Sequence, residues 1–446
     1  MSLVISPLPF RKSKRIPVAF LSEDGTISGE SKPQIVYCNS SLPALRIARE
    51  KGGSGVLSKS PSSSTWLRFQ VGNTNYYPGT LGDAKQLIAF RDYCHDLGIA
   101  ARSIPAMAFY VMRWTLGGAF TVDTGDEIPW ELFPTGARMH AQEGVYQNVY
   151  QSDIRAAYLW GIRRLSPVRE FRPSNYAEHR DVSSLFSDNP GGFFLVSIRL
   201  PQQSKWGICP MLSDEGATIY PSIHNHWTDR YLLQGADLSL AMAVGARVKI
   251  HRGWIPVSRV TEPFRAFAIL AYDLRSSDFP DVAKQVGNTL WGSFVASGDL
   301  SKVTFSPGGR RHKIEPLPDR KKLCPPIGYS VVSALRSRLA IEGLGSATVH
   351  AHTDGVISPF SIETENEMGG WRTEKYSEVE ILSPSWYKTV SLDGEIVYRT
   401  AGRKGADGRI SRIFAQQRER MLSEADLEKG ESDISGMFVR LDRGFP

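Results

Sequence analysis

Three short blocks in fixed order carry the residue types that can do chemistry: 152–162 (SDIRAAYLWGI), 283–292 (AKQVGNTLWG) and 349–357 (VHAHTDGVI). The outer two each bring one carboxylate, Asp153 and Asp354, out of a β-prone segment. In the middle block Lys284, Asn288 and Trp291 recur at i, i+4 and i+7, which is one face of a helix. Phosphoryl transfer from a triphosphate needs little covalent help, but it does need divalent cations that align the attacking and leaving oxygens. Hard cations such as Mg²⁺ take oxygen ligands, often one or two carboxylates plus substrate phosphates and water. Two carboxylates and one cationic helix face are the parts for holding such ions and a nucleoside triphosphate. The two aspartates lie far apart in sequence, so the fold must bring them together. His350 and His352 also share one strand face, but a zinc site needs further ligands and no third one accompanies them.

The elements that must position these groups sit in a chain of 446 residues, long enough for two to four subdomains. Hydrophobic residues make up 41% and charged residues 22%, the composition of a globular protein rather than a disordered one. The net charge of +7 and pI near 9.1 suit a partner that carries phosphates. Cys38, Cys94, Cys209 and Cys324 have no metal-ligand spacing and read as reduced structural thiols. No apolar run reaches the ~18–20 residues of a membrane span. The basic run at 11–15 (RKSKR) follows neither a signal-peptide nor a transit-peptide pattern. A cytoplasmic setting, in a bacterial host cell or its equivalent, is expected.

Strand-like runs occupy 17–21 and 34–37, a short helix 42–50, and a Ser- and Gly-rich loop 52–65. Helical spacing marks 81–97 and 105–116, and a turn-rich stretch covers 123–136. After Asp153, strands are expected at 192–201 and 246–251, with a helix at 231–244 ended by Gly245. Two helices, 263–275 and 281–294, meet at a tight turn. Residues 298–326 read as a hairpin or extended loop, followed by a helix at 328–344 and the strand carrying Asp354.

The three blocks resemble motifs A, B and C of B-family DNA polymerases, especially the small protein-primed enzymes of phages and plasmids. Asp153 and Tyr158 match motif A, which runs Asp, four residues, Tyr. Lys284, Asn288, Thr289, Trp291 and Gly292 match motif B, with Trp in place of the usual Tyr. Motif C keeps its second aspartate as Asp354, while the first becomes His352. Arg336, within SALR, falls where relatives carry an arginine before motif C, and 370–387 with Lys388 resembles the segment that grips the primer terminus. The glycine-containing stretch ahead of motif A appears as 134–138 (PTGAR), without the family's tyrosine. The likeness covers roughly residues 130–405. Around 20–24 (FLSED) the Asp-x-Glu of the family's exonuclease domain is absent, and 36–50 lacks the aspartate of the second exonuclease motif.

The resemblance implies an α+β, right-hand polymerase fold: an antiparallel palm sheet, helical fingers and a small thumb, with a reduced N-terminal α/β domain. The implied limits are 1–125 for a degenerate exonuclease-like domain, 126–261 and 299–400 for the two parts of the palm, 262–298 for the fingers and 401–446 for the thumb. Asp153 and Asp354, with the Ile154 carbonyl, would ligate two Mg²⁺ ions, Mn²⁺ being a substitute. Tyr158 would select deoxynucleotides by excluding a 2′-hydroxyl, Lys284 and Arg275 would bind the triphosphate, and Asn288 would position the nucleotide. Arg138, Arg336, Tyr387, Lys388 and Arg403 would contact DNA. Implied partners are primer–template DNA and deoxynucleoside triphosphates, with a terminal protein or primase as a further candidate. The expected activity is template-directed DNA synthesis without proofreading. The alternatives are a catalytically idle, polymerase-like DNA-binding scaffold and a template-independent nucleotidyltransferase.

Overall fold

The computed structural model describes residues 2–8, 15–60, 63–100, 103–123, 128–136, 139–163, 168–173, 182–201, 207–213, 218–221, 223–259, 262–295, 298–308, 312–320, 324–400, 403–405 and 410–419. Two eight-stranded sheets dominate it. The first is mixed and begins with Val18–Leu21, the strand Ser2–Ile5 pairing instead with Phe120–Asp123. Val18–Leu21, Ile35–Cys38 and Thr74–Pro78 run parallel toward one side of it, with Ile27–Gly29 at the edge beyond Val18–Leu21. Val18–Leu21 and Ile35–Cys38 are buried on both faces, as parallel strands covered by helices must be. Alternate residues separate cleanly. Ala19, Leu21, Val36 and Cys38 pack with Ala44 and Ala48 of the helix Ser41–Lys51. Val18, Phe20, Ile35 and Tyr37 pack with Leu87 and Phe90 of the helix Ala84–Asp96.

The Ser-rich stretch 52–65, expected to be a loop, instead opens an antiparallel pair, Ser54–Ser60 with Ser63–Val71. Its outer partner arrives from far along the chain. Gly298–Phe305 pairs with Ser54–Ser60, and His312–Arg320 folds back on it to form the sheet's edge. Gly298–Phe305 and His312–Arg320 are thus a hairpin, but they complete this first sheet rather than joining the sheet that carries Asp153, although the sequence reading grouped them with the segment of Asp354. Pairing with a distant strand orders a segment whose own composition signals a loop.

The second large sheet is antiparallel throughout, in the spatial order Arg403–Gly405, Ile396–Thr400, Trp386–Ser391, Trp371–Ser383, Gly144–Ile154, Gly355–Ser358, His350–His352 and Met139–Ala141. The strand Gly144–Ile154 is central, and Asp153 lies at its end. Between the helix Ala157–Arg163 and the helix Arg265–Asp273, the chain builds a separate four-stranded sheet, Val168–Pro173, Arg247–Arg259, Phe193–Arg199 and Tyr231–Gln234, around its own core. The expected helix 231–244 therefore starts late: Tyr231–Gln234 pairs with Phe193–Val196, and only Gly235–Ala243 is helical.

The helices Ala157–Arg163, Arg265–Asp273, Pro280–Val295 and Pro325–Arg338 gather with Ala84–Asp96 and Ile104–Thr115 in one continuous apolar core, which reaches the central sheet at Ile154, Ala351, Val356 and Trp371. Among the described residues all four cysteines are buried free thiols, and no helix is long and apolar enough to cross a membrane. Of the C-terminal stretch 401–446, only 403–405 and 410–419 lie within the described residues. The latter is helical and rests on the sheet through Phe414 against Tyr398, ring centroids 5.3 Å apart.

Candidate active site

Asp153 and Asp354 meet at the end of the central sheet. Asp153 pairs across the ladder with Gly355, and the Ile154 N–H donates to the Asp354 carbonyl at 2.9 Å. Asp354 is in the turn between His350–His352 and Gly355–Ser358, not within a strand as expected. That turn is unusually tight. The Asp354 N–H bonds the His352 carbonyl two residues back at 2.8 Å, and Thr353 between them has φ of 59°. This is the pattern of a γ-turn, rare for a β-branched residue and of a kind that collects at functional sites. Ala156, just after Asp153, also has a positive φ of 51°. Backbone strain thus sits beside both carboxylates. Gly355 has a steric duty: a methyl group there would run into Asp153 Oδ1.

Two carboxylates this close repel, and burial adds to the penalty on the charged form. The Asp354 carboxyl is pushed up to about 7 by burial and then by the Asp153 charge, with Arg399 and Lys284 pulling the other way. Asp153 is raised by burial, opposed by a 2.8 Å hydrogen bond from Gln151 Nε2 and by Arg399 and Arg372. Among the described residues neither carboxylate makes an ion pair. A pair of half-buried, mutually repelling oxygen donors is a chemical fit for hard divalent cations.

The helix Pro280–Val295 faces this pair. Lys284 is exposed on it and within electrostatic reach of Asp354, and Asn288 follows one turn later. Gly287 lets the helix press against Leu159 of Ala157–Arg163. One turn further, Trp291 lies flat on Tyr158, with centroids 4.7 Å apart and planes 9° from parallel. Burial and then Asp354 push the Tyr158 hydroxyl up to about 12. Arg275, in the turn between the helices Arg265–Asp273 and Pro280–Val295, has Nε and Nη2 buried and without a hydrogen-bond partner, and burial lowers its pKa.

Several residues expected to contact DNA are engaged within the protein. Arg336 is 1% exposed, and its guanidinium bonds Asp237 at 2.7 Å and the Pro134 carbonyl at 2.7 Å. It is an internal tie between the helices Pro325–Arg338 and Gly235–Ala243. The Tyr387 ring is buried between His350, 4.7 Å away, and the Arg399 guanidinium, 5.5 Å away. Lys388 is held by Glu378 at 2.9 Å and Glu380 at 3.0 Å. Arg403 begins an edge strand opposite Thr400, and its side chain, like Arg138 as a whole, lies outside the described residues. Ile154 sends its side chain into the core.

Sequence reasoning missed Arg399, Arg372 and Glu374, which all act electrostatically on Asp153. Arg372 is its cross-strand neighbour, a register that spacing alone does not reveal. In the HxH pair the two rings lie 6.3 Å apart and nearly parallel. His350 Nε2 is spent on the Pro384 carbonyl at 2.8 Å, and burial drives that ring down to about 4. Among the described residues no group of three or more His, Cys, Asp or Glu side chains is placed to hold a metal.

No family model matches the chain, and no curated protein matches it by sequence. Solved structures do match. The mixed α+β fold, with a large sheet and helices, is similar to that of a DNA polymerase structure. The particular likeness is to phi29 DNA polymerase. Its orthorhombic crystal form superposes with a TM-score of 0.61 at 12% identity, covering 87% of this chain and 88% of that one. The ternary complex with primer–template DNA and incoming nucleotides gives the same values. The complex with single-stranded DNA gives 0.58 at 12% identity, covering 86% and 84%.

Proposed function

We propose that the protein is a template-directed DNA polymerase that extends a primer 3′ end with deoxynucleotides, without proofreading. The observation that carries this is the meeting of Asp153 and Asp354 beneath the helix of Lys284, on a fold similar to phi29 DNA polymerase. One of the matched structures holds primer–template DNA and incoming nucleotides, which supports the same partners here.

Asp153 and Asp354, with the Ile154 carbonyl, would hold two Mg²⁺ ions, or Mn²⁺ in their place. Such ions lower the charge barrier between the primer 3′ oxygen and the α-phosphate and stabilise the leaving pyrophosphate. Lys284 and Arg275 neutralise the triphosphate, Arg275 with donors that have no other partner. Asn288 positions the nucleotide from the same helix face. Tyr158, immobilised by its stack on Trp291, presents a rigid edge to the sugar and discriminates against a 2′-hydroxyl. Arg399, near both carboxylates, offsets their charge while the site is filling.

Primer extension with Mg²⁺ or Mn²⁺ tests the proposal. Wild type should extend a primer only when a template is supplied, and Asp153→Ala and Asp354→Ala should each reduce the rate by at least about 10³-fold. Wild type no better than the variants would instead identify a DNA-binding scaffold. Extension without template would identify a terminal nucleotidyltransferase. Metal-dependent degradation of single-stranded DNA would overturn the absence of proofreading.

A further inference from the structure

The helix that carries Lys284 is clasped at its first turn by the N-terminal part of the chain. Gln285 Nε2 donates to the Gly79 carbonyl at 2.6 Å, while its Oε1 accepts from the Leu81 N–H at 2.8 Å. Gln86 mirrors this arrangement. Its Nε2 donates to Asp281 Oδ2 at 2.9 Å, and its Oε1 accepts from the Asp281 N–H at 3.0 Å. The latter is one of the helix N-terminal donors that lack an intrahelical partner. Each side-chain amide therefore uses both ends to join segments roughly two hundred residues apart. Gln86 is itself fixed, because Asp83 caps its helix by accepting from the Gln86 N–H at 2.9 Å. Packing follows the same seam. Phe279 lies against Phe90 and Tyr93, with centroids 5.3 and 5.7 Å apart. At Gly82, φ is 89°, and an added methyl would sit 3.0 Å from Val282 Cγ2.

Lys284 falls between Asp281 and Gln285, the two residues held by this clasp. We propose that Gln86 and Gln285 are positioning residues for the nucleotide site: the N-terminal domain braces the helix so that Lys284 meets the triphosphate without the helix having to shift. This rests on the polymerase reading and assigns the N-terminal domain a part in nucleotide binding. If the braced register becomes only one of several, apparent affinity falls in proportion to its population. The four bonds are exposed, so each is worth little alone, yet together they select one register. The aromatic seam remains when the amides are removed, so the fold should persist.

The full-length double variant Gln86→Ala/Gln285→Ala tests this, with deoxynucleoside triphosphate and primer–template as probes. The dNTP KM should rise about ten-fold, as expected for losing a bonded register worth on the order of 1–1.5 kcal/mol. Turnover should stay within about two-fold and primer–template affinity should be unchanged, since neither depends on where the triphosphate arm starts. Hydrogen exchange should quicken at amides 281–285 and not in the central sheet. A folded double variant with wild-type KM and exchange overturns the proposal, as does a parallel loss of KM, kcat and DNA affinity. If the double variant does not fold, Gln285→Ala alone is put through the same tests. Should wild type incorporate no nucleotide at all, the polymerase reading fails. Exchange at 281–285 then still decides the brace: faster exchange in the variant supports it and unchanged exchange removes it.

Discussion

Asp354 titrates far from the ordinary carboxylate range because two negative charges share a poorly hydrated corner. Raising a carboxyl from 3.8 to about 7 means that the folded protein keeps a proton the unfolded chain has already released. Stability contributed by that proton is full below pH ~4 and is lost as pH climbs toward ~7, remaining absent above it. Asp354→Asn should therefore match wild type in thermal stability at pH 4 and exceed it by a few degrees at pH 8. Adding Mg²⁺ at pH 8 should close that gap by stabilising wild type alone, as a ligand of the native state must. A melting series across pH, with and without Mg²⁺, checks both statements. Gly355 belongs to the same corner. Gly355→Ala should displace the Asp153 carboxylate and reduce primer extension by about 10²-fold or more, while the circular dichroism spectrum stays that of wild type. Unchanged extension would mean that the carboxylate has room to retreat. Spacing and residue type made Asp153, Asp354, Tyr158, Lys284 and Trp291 visible from the sequence. Gly355 was visible only as a letter, since its importance comes from a cross-strand contact.

At the scale of elements, the amphipathic helix Pro280–Val295 was readable because its i, i+4, i+7 pattern is local. Arg336 illustrates the opposite case. A cation on a helix beside the motif C strand reads as a DNA contact, yet Asp237, from a helix in the four-stranded insertion, captures it. Nothing near either residue in sequence announces the other. Breaking a buried pair strands a charge, at a cost of about 3–5 kcal/mol. Arg336→Ala should lower the denaturant midpoint markedly, and the fraction that remains folded should bind primer–template as wild type does. A specific drop in DNA affinity at unchanged stability would restore the original reading. Tyr387 follows the same logic: the strand was legible, but which side chains face inward depends on the register with Trp371–Ser383 and Ile396–Thr400. One misjudged face turns a surface group into an internal one.

Across the whole molecule, the Ser-rich stretch read as a loop because one of the two strands that flank it is contributed by residues 298–305. Long-range strand pairing leaves no periodic trace where the two segments are encoded. The limits read from sequence place a domain boundary near residue 125, but the sheet they divide is one object. A fragment covering 1–125 should therefore leave Ser54–Ser60 as an open edge, the configuration that recruits other chains. Expressed alone, it should be recovered as aggregates in size-exclusion chromatography, and a version with residues 298–320 appended through a flexible linker should elute as a monomer. A soluble monomeric 1–125 would show that the borrowed strands are dispensable.

That borrowing sets a timetable for synthesis. On a ribosome adding roughly 5–20 residues per second, the first sheet waits many seconds for its last two strands, while the segments bearing Asp153 and Lys284 emerge in the interval. The nascent chain must guard an unfinished margin until the return hairpin clears the exit tunnel, so a sheet begun before Asp153 is synthesised is completed only after Lys284 has followed.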